Sequence, residues 1–188
     1  MINEKKVLFE ISLIVGYLND IDNEKINRDA IDNASNIIVS DNALHTFSED
    51  SYIPKSDELN KIFKSIEDDF SNTTSLKFEI NEHWAHIHKP NQSAGIHNHI
   101  PDIHPDEYHQ DSNKYLSGVY YPYLPDDCGN IVFEWRNGIQ GAIPNYRYSY
   151  EDAKVGSYLL FPSYLSHFIT PNLSDYPRVS ISFNGKIL

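Results

Sequence analysis

One cysteine, Cys128, is all that 188 residues hold, so no disulfide can form within the chain. That suits a reducing cytosol. Cys128 sits in the turn-like run Pro125-Asp126-Asp127-Cys128-Gly129 and reads as a small turn residue rather than a nucleophile. Cations are also scarce, with 15 Lys and Arg against 27 Asp and Glu, a formal net charge of -12. A surface that negative repels phosphate backbones, which are bound by clustered Lys and Arg, so nucleic acid is not an expected partner. An anionic membrane surface is disfavoured for the same reason. Long apolar runs are missing as well. The stretch from Val7 to Leu18 is broken by Glu10 and Ser12, is too short to span a bilayer, and has no convincing cleavage site. The expectation is a cytoplasmic protein. Repeats and low-complexity linkers are absent, and the length suits one domain over residues 1–188.

What is present points to β structure. Forty per cent of the residues are hydrophobic, enough for a core, and the 13 tyrosines and 9 phenylalanines favour strands. The first 75 residues form a helical support region. Residues 1–18 read as a strand-like or mixed opening, and residues 23–39 and 56–71 show helical spacing. In the second of these, Leu59, Ile62, Phe63, Ile66 and Phe70 share one helix face, with Ser56-Asp57 as the N-cap. From residue 76 short strands take over: 76–80, 83–88, 94–100, 116–121, 130–135, 157–161, 167–170 and 178–183. Many short strands separated by turns indicate a sandwich or barrel over residues 76–188. The fold class is therefore mainly β with N-terminal helices, the helices packed on the outer face of a sheet.

Seven of the nine histidines lie between residues 83 and 109, and His167 stands far downstream. A mononuclear iron site in an oxygenase needs two imidazoles and usually a carboxylate on one side of the metal, leaving positions open for other ligands. Alternation places residues i and i+2 on one side of a strand. Two pairs have that spacing, His97/His99 and His109/Asp111. His83, His86 and His88 read as strand positions that pack, or that hydrogen-bond beside a metal ligand. In the last strand Val179, Ile181 and Phe183 alternate with Arg178, Ser180, Ser182 and Asn184. If the polar row points inward it lines a ligand cavity, where an arginine fork could hold a carboxylate and Ser180 add a hydrogen bond. If it points outward it is a solvated edge.

Two strings carry a resemblance. Leu116-Ser117-Gly118-Val119-Tyr120-Tyr121 with the turn at 125–129, and Leu160-Phe161-Pro162-Ser163-Tyr164-Leu165-Ser166-His167 with Pro171-Asn172 and Arg178 to Asn184, resemble a family of 2-oxoglutarate/Fe(II) oxygenases of bacteria and phages, prolyl-hydroxylase-like. The likeness covers roughly residues 76–188. It implies a double-stranded β-helix (jelly roll), with the helices on the outer face of its major sheet. It implies Fe(II), 2-oxoglutarate as co-substrate and O2. His167 would be the distal metal ligand, and Arg178 with Ser180 would hold the far carboxylate of 2-oxoglutarate. Tyr121 joins them if Ser117, Val119 and Tyr121 share the inward face.

The proximal ligands stay open. His97 lies 13 residues after Trp84, matching the family's upstream spacing, while Asp111 lies six residues before Ser117, matching its downstream spacing. His97 and His99 are favoured because 94–100 can form a strand and the Pro105 region is poor strand material. His109/Asp111, or His97 with Asp102, are the alternatives. The expected reaction is hydroxylation of an unactivated C–H bond in a peptide or protein side chain, an amino acid or a small metabolite. Acidic residues in 100–115 suggest a cationic or neutral substrate. Rival readings are a cupin-like metal barrel that does not use 2-oxoglutarate, and a non-catalytic binding module. An edge strand could pair in a homodimer.

Overall fold

The computed structural model describes residues 11–34, 49–51, 53–100, 112–135 and 146–188. The elements run β1 (Ile14–Tyr17), α1 (Asn23–Ala34), β2 (Glu49–Ser51), α2 (Asp57–Thr74), β3 (Phe78–His88), β4 (Ala94–His97), a 3-10 turn at Ser112–Lys114, β5 (Tyr115–Tyr123), β6 (Ile131–Trp135), β7 (Tyr146–Tyr150), β8 (Ser157–Pro162), β9 (Ser166–Ile169) and β10 (Arg178–Ile187).

The strands form two sheets, a six-stranded one in the order β1-β8-β5-β10-β3-β2 and a four-stranded one in the order β4-β9-β6-β7. From β3 to β10 the chain passes back and forth between them. Every pairing is antiparallel. This is the double-stranded β-helix that the resemblance implies.

The six-stranded sheet buries apolar side chains on both faces, and the two cores differ. Its outer face packs on the helices. Leu59, Ile62, Phe63, Ile66 and Phe70 of α2 are buried there with Ala85, Ile87, Tyr120, Val179, Ile181 and Phe183. Each buried Leu, Ile, Val or Phe among them contributes roughly 1.5–3 kcal/mol. Ser56 caps α2 by accepting a hydrogen bond from the Leu59 N–H at 3.2 Å. The helix ends at Ser75, whose left-handed backbone (φ 61°) lets its N–H reach Ser71 O. The Tyr120 hydroxyl donates to Asn23 of α1 and the Tyr158 hydroxyl to Asp69 of α2, so each helix is also pinned to the sheet by a hydrogen bond. The second core lies between the sheets, with Val119, Tyr121, Phe133, Tyr150, Leu159 and Phe161.

Two register shifts shape the interior. Against β10, Asn184 pairs with Glu82 but Gly185 pairs with Ile80, so Asn81 is an extra residue in β3. Beyond it the alternation is inverted: Phe78 and Ile80 pack on the helical side with Ala85 and Ile87. The second shift lies where Val179 pairs with Tyr123 and Ile181 with Tyr120. It lets Pro122, which has no N–H to give, sit in a central strand. Among the described residues no helix is long and apolar enough to cross a membrane.

Candidate active site

The last strand sets the site. Val179, Ile181 and Phe183 face the helices, so Arg178, Ser180 and Ser182 face the space between the sheets. Arg178 is 2% exposed, and Ser180 is buried beside it. The loop that delivers Arg178 is held by Asn172. Its side-chain amide donates to His88 O and Tyr176 O, and its backbone exchanges hydrogen bonds with the turn at Asn91 and Gln92.

His97 closes β4 and pairs directly with His167 of β9. His99 follows two residues on, its N–H donating to Ser163 O at 2.9 Å. One ring nitrogen from each of His97, His99 and His167 lies within 4.8 Å of the other two. The ring centroids are 4.4 Å apart for His97 and His167, 4.9 Å for His97 and His99, and 5.1 Å for His99 and His167. His97 Nδ1 lies 2.8 Å from Gly95 O and His167 Nδ1 3.0 Å from Leu165 O. A carbonyl only accepts, so Nδ1 carries the hydrogen in both rings and the Nε2 lone pair is free to bind a metal. Phe161 and Phe133 wall the His167 ring at 4.9 and 6.1 Å. Burial, aided by the neighbouring His97, pulls the His167 pKa down to about 3, so the ring is neutral at pH 7. The neutral imidazole is the metal-binding form.

At the other end of the cavity the Arg178 guanidinium lies over the Tyr121 ring, 5.2 Å from its centroid, and 3.4 Å from His88 Nδ1. No carboxylate among the described residues pairs with it. Arg178 Nε and the Tyr121 hydroxyl are buried without a hydrogen-bond partner. Burial pushes the Tyr121 pKa up to about 12, against the pull of Arg178, so its hydroxyl is a donor. A buried cation beside an unused donor is costly unless an anion joins them. The residues present thus fit both expected groups: imidazole nitrogens for a divalent iron, and an uncompensated guanidinium for the far carboxylate of a dicarboxylate.

The cavity between these ends is narrow, about 30 Å³, and wider hollows share its walls. One, about 510 Å³, is also lined by Arg178, Tyr121 and Cys128. The other, about 570 Å³, opens at His97 and His99. Cys128 is buried in its turn, and that burial raises its thiol pKa, which keeps it protonated.

His97, His99, His167, Arg178, Ser180 and Tyr121 are therefore gathered in one interior. His109, Asp111 and Asp102 lie outside the described residues. His86 and His88 face the cavity, while His83 bonds to Ile53 O on the helical side. Asn184, in the polar row of the last strand, lines the hollow beside His97 and His99 together with Glu82. Glu82 falls between the runs 76–80 and 83–88, and the inserted Asn81 hides that it belongs to the second.

A family model described as "Putative 2OG-Fe(II) oxygenase" matches residues 82–184. No curated protein matches the sequence. Among solved structures, the non-heme alpha ketoglutarate dependent carbocyclase SnoK from nogalamycin biosynthesis aligns with a TM-score of 0.65 and 9% identity, over 94% of this chain and 80% of that one. A Pseudomonas putida prolyl-4-hydroxylase aligns with a TM-score of 0.57 and 15% identity, over 94% and 91%. The viral collagen prolyl hydroxylase of Paramecium Bursaria Chlorella virus-1, solved as its 2OG complex, gives 0.58 and 16%, over 94% and 96%. At such identities the structures speak for the fold; the family match, over more than half of the chain, speaks for the chemistry. The chain belongs to the 2OG-Fe(II) oxygenases and is an enzyme whose cofactors are Fe(II), 2-oxoglutarate and O2.

Proposed function

We propose that this oxygenase hydroxylates an unactivated C–H bond in a peptide or protein side chain, an amino acid or a small metabolite. His97, His99 and His167 would hold the iron, and Arg178, Ser180 and Tyr121 the far carboxylate of 2-oxoglutarate. When bound, iron and 2-oxoglutarate together supply the oxidising power, as the keto acid is decarboxylated to succinate and O2 is consumed. The chain's own residues supply placement. Gly95 O and Leu165 O hold the His97 and His167 rings with Nε2 inward. Phe133 and Phe161 keep water from one side of the centre. Arg178 and the Tyr121 hydroxyl offer a charged fork and a neutral donor to one anionic end, which fixes the length and direction of the co-substrate.

The observation that carries this reading is the pairing, in one cavity, of an imidazole triad with a buried arginine that no carboxylate among the described residues neutralises. The test is anaerobic addition of Fe(II) and then 2-oxoglutarate, watching the weak visible charge-transfer band. The band should develop in the native protein and be lost in His167→Ala, with succinate formation lost in Arg178→Ala. Iron binding without a band would overturn the 2-oxoglutarate assignment. An unaltered band in His99→Ala would remove His99 from the ligand set.

A further inference from the structure

Among the described residues that line the hollow of about 570 Å³ opening at His97 and His99, the carboxylate of Glu82 is the one formal charge besides the histidines. That carboxylate is held by a chain of hydrogen bonds with a fixed direction. Carboxylate oxygens only accept, so the Asn184 side-chain NH2 donates to Glu82 Oε2 at 2.8 Å. Asn184 Oδ1 therefore faces Ser117, whose hydroxyl donates to it at 2.8 Å. Ser117 Oγ is left to accept from Ser163 Oγ at 2.9 Å. Ser117 and Ser163 are each 1% exposed. Ser163 is also the residue whose carbonyl anchors the His99 N–H. A relay that starts in the core beside the triad thus ends on one carboxylate in the mouth, and no cation among the described residues pairs with it.

The strand geometry sets the distance to the triad. Glu82, Trp84 and His86 line the hollow from one face of β3. One such two-residue step is about 7 Å. Trp84 touches His99, the ring centroids 5.3 Å apart. Glu82 therefore lies about 7 Å further along β3 than the indole that touches the triad. The inserted Asn81 adds a second polar residue to the same wall. An aromatic face next to a fixed carboxylate suits a cation carried on an aliphatic stem.

We propose that this mouth selects substrates bearing an ammonium or guanidinium group on a stem of about three or four carbons. Glu82 receives the cation, Trp84 covers the stem, and the carbon to be oxidised lies towards His97 and His99. This rests on the triad being the metal centre. The cation could belong to a peptide side chain or to a free amine.

The test is calorimetric titration of the anaerobic protein with Fe(II) and 2-oxoglutarate present. The probes are Nα-acetyl-lysine methylamide, its neutral counterpart Nα-acetyl-norleucine methylamide, and the diamine cadaverine. The lysine probe should bind at least tenfold more tightly than the norleucine probe. Glu82→Gln should erase that preference and leave 2-oxoglutarate affinity unchanged. Glu82→Lys should transfer it to Nα-acetyl-glutamate methylamide. Tighter binding of cadaverine than of the lysine probe would identify a free amine as the source; the reverse would identify a peptide. Equal binding of the lysine and norleucine probes, or a preference that survives in Glu82→Gln, overturns the proposal. A Glu82-dependent preference in a protein that forms no charge-transfer band would uphold the mouth and sink the metal assignment. A normal band without the preference would do the opposite.

Discussion

Among the described residues Arg178 is the largest of the side chains buried almost completely, and none of their carboxylates pairs with it. Removing such a charge should relieve the free protein while disabling the co-substrate site proposed for it. Arg178→Met is expected to raise the melting point of the metal-free protein by a few degrees, about 1 kcal/mol at the ~2–4 °C per kcal/mol typical of this chain length. The same variant should lose the stabilisation that 2-oxoglutarate gives the iron-loaded native protein. A melting point that falls would show the guanidinium to be satisfied already. His167 makes a pH prediction of definite sign. Its folded pKa lies near 3, below the ordinary 6.5, so the unfolded chain binds a proton that the native ring refuses. Its stability contribution is full above pH 6.5 and is lost as the pH falls towards 3. Urea midpoints of the metal-free protein should drop across that window, and less steeply in His167→Leu. These side chains differ in how far the sequence exposes them. Arg178 and Ser180 show in the alternation of the last strand, but alternation does not say which row points inward; the packing of Val179, Ile181 and Phe183 on the helices decides it. The relay to Glu82 is invisible in the sequence because its partners lie 46, 67 and 102 residues apart.

The elements that are easiest to read are those whose pattern has no interruption. The α2 stripe predicts the five side chains that the structure buries, and Ser56 takes the cap. Ser56→Ala should cost about 1 kcal/mol in urea unfolding. In contrast, β3 reads as two runs, 76–80 and 83–88, because the extra Asn81 inverts the alternation within a single strand of 11 residues. The short strand β2 has only Glu-Asp-Ser to show, and β7 lies outside the strands expected from the sequence. The strand expected over 94–100 stops at His97, and the chain then turns so that the His99 N–H can reach Ser163 O. Residues 35–39 of the expected first helix lie outside those described. Opposite the insertion in β3, a Cβ on Gly185 would come within 2.4 Å of Glu79 O and 2.6 Å of the Phe78 ring. Gly185→Ala should therefore destabilise by roughly 1–3 kcal/mol through overcrowding. Because the strain falls on the register of β3, the variant should also weaken any preference set by Glu82.

For the whole molecule, the proposed site bridges the two sheets: His97, His99 and His167 come from the four-stranded sheet and its exit, and Arg178 and Ser180 from the six-stranded one. A ligand that touches both sheets ties together parts that must separate on unfolding. Fe(II) with 2-oxoglutarate should therefore raise the melting point, by about 2.7 kcal/mol of stability at a hundredfold excess over Kd. Chelation of the metal should abolish the 2-oxoglutarate increment; an increment that persists without metal would mean that Arg178 alone captures the acid. The net negative charge that argues against nucleic acid carries no information about this interior, where a buried guanidinium stands at one end of the cavity.

The carbonyls that fix the His97 and His167 rings belong to Gly95 and Leu165, each two residues before its histidine. Ring orientation is thus inherited from the path of the main chain rather than lent by a neighbouring acid. If His97 and His167 hold the metal as proposed, side chains around them can be exchanged in a directed-evolution campaign without touching the tautomer of either ring, so altered specificity at the mouth and retention of the metal are separable objectives.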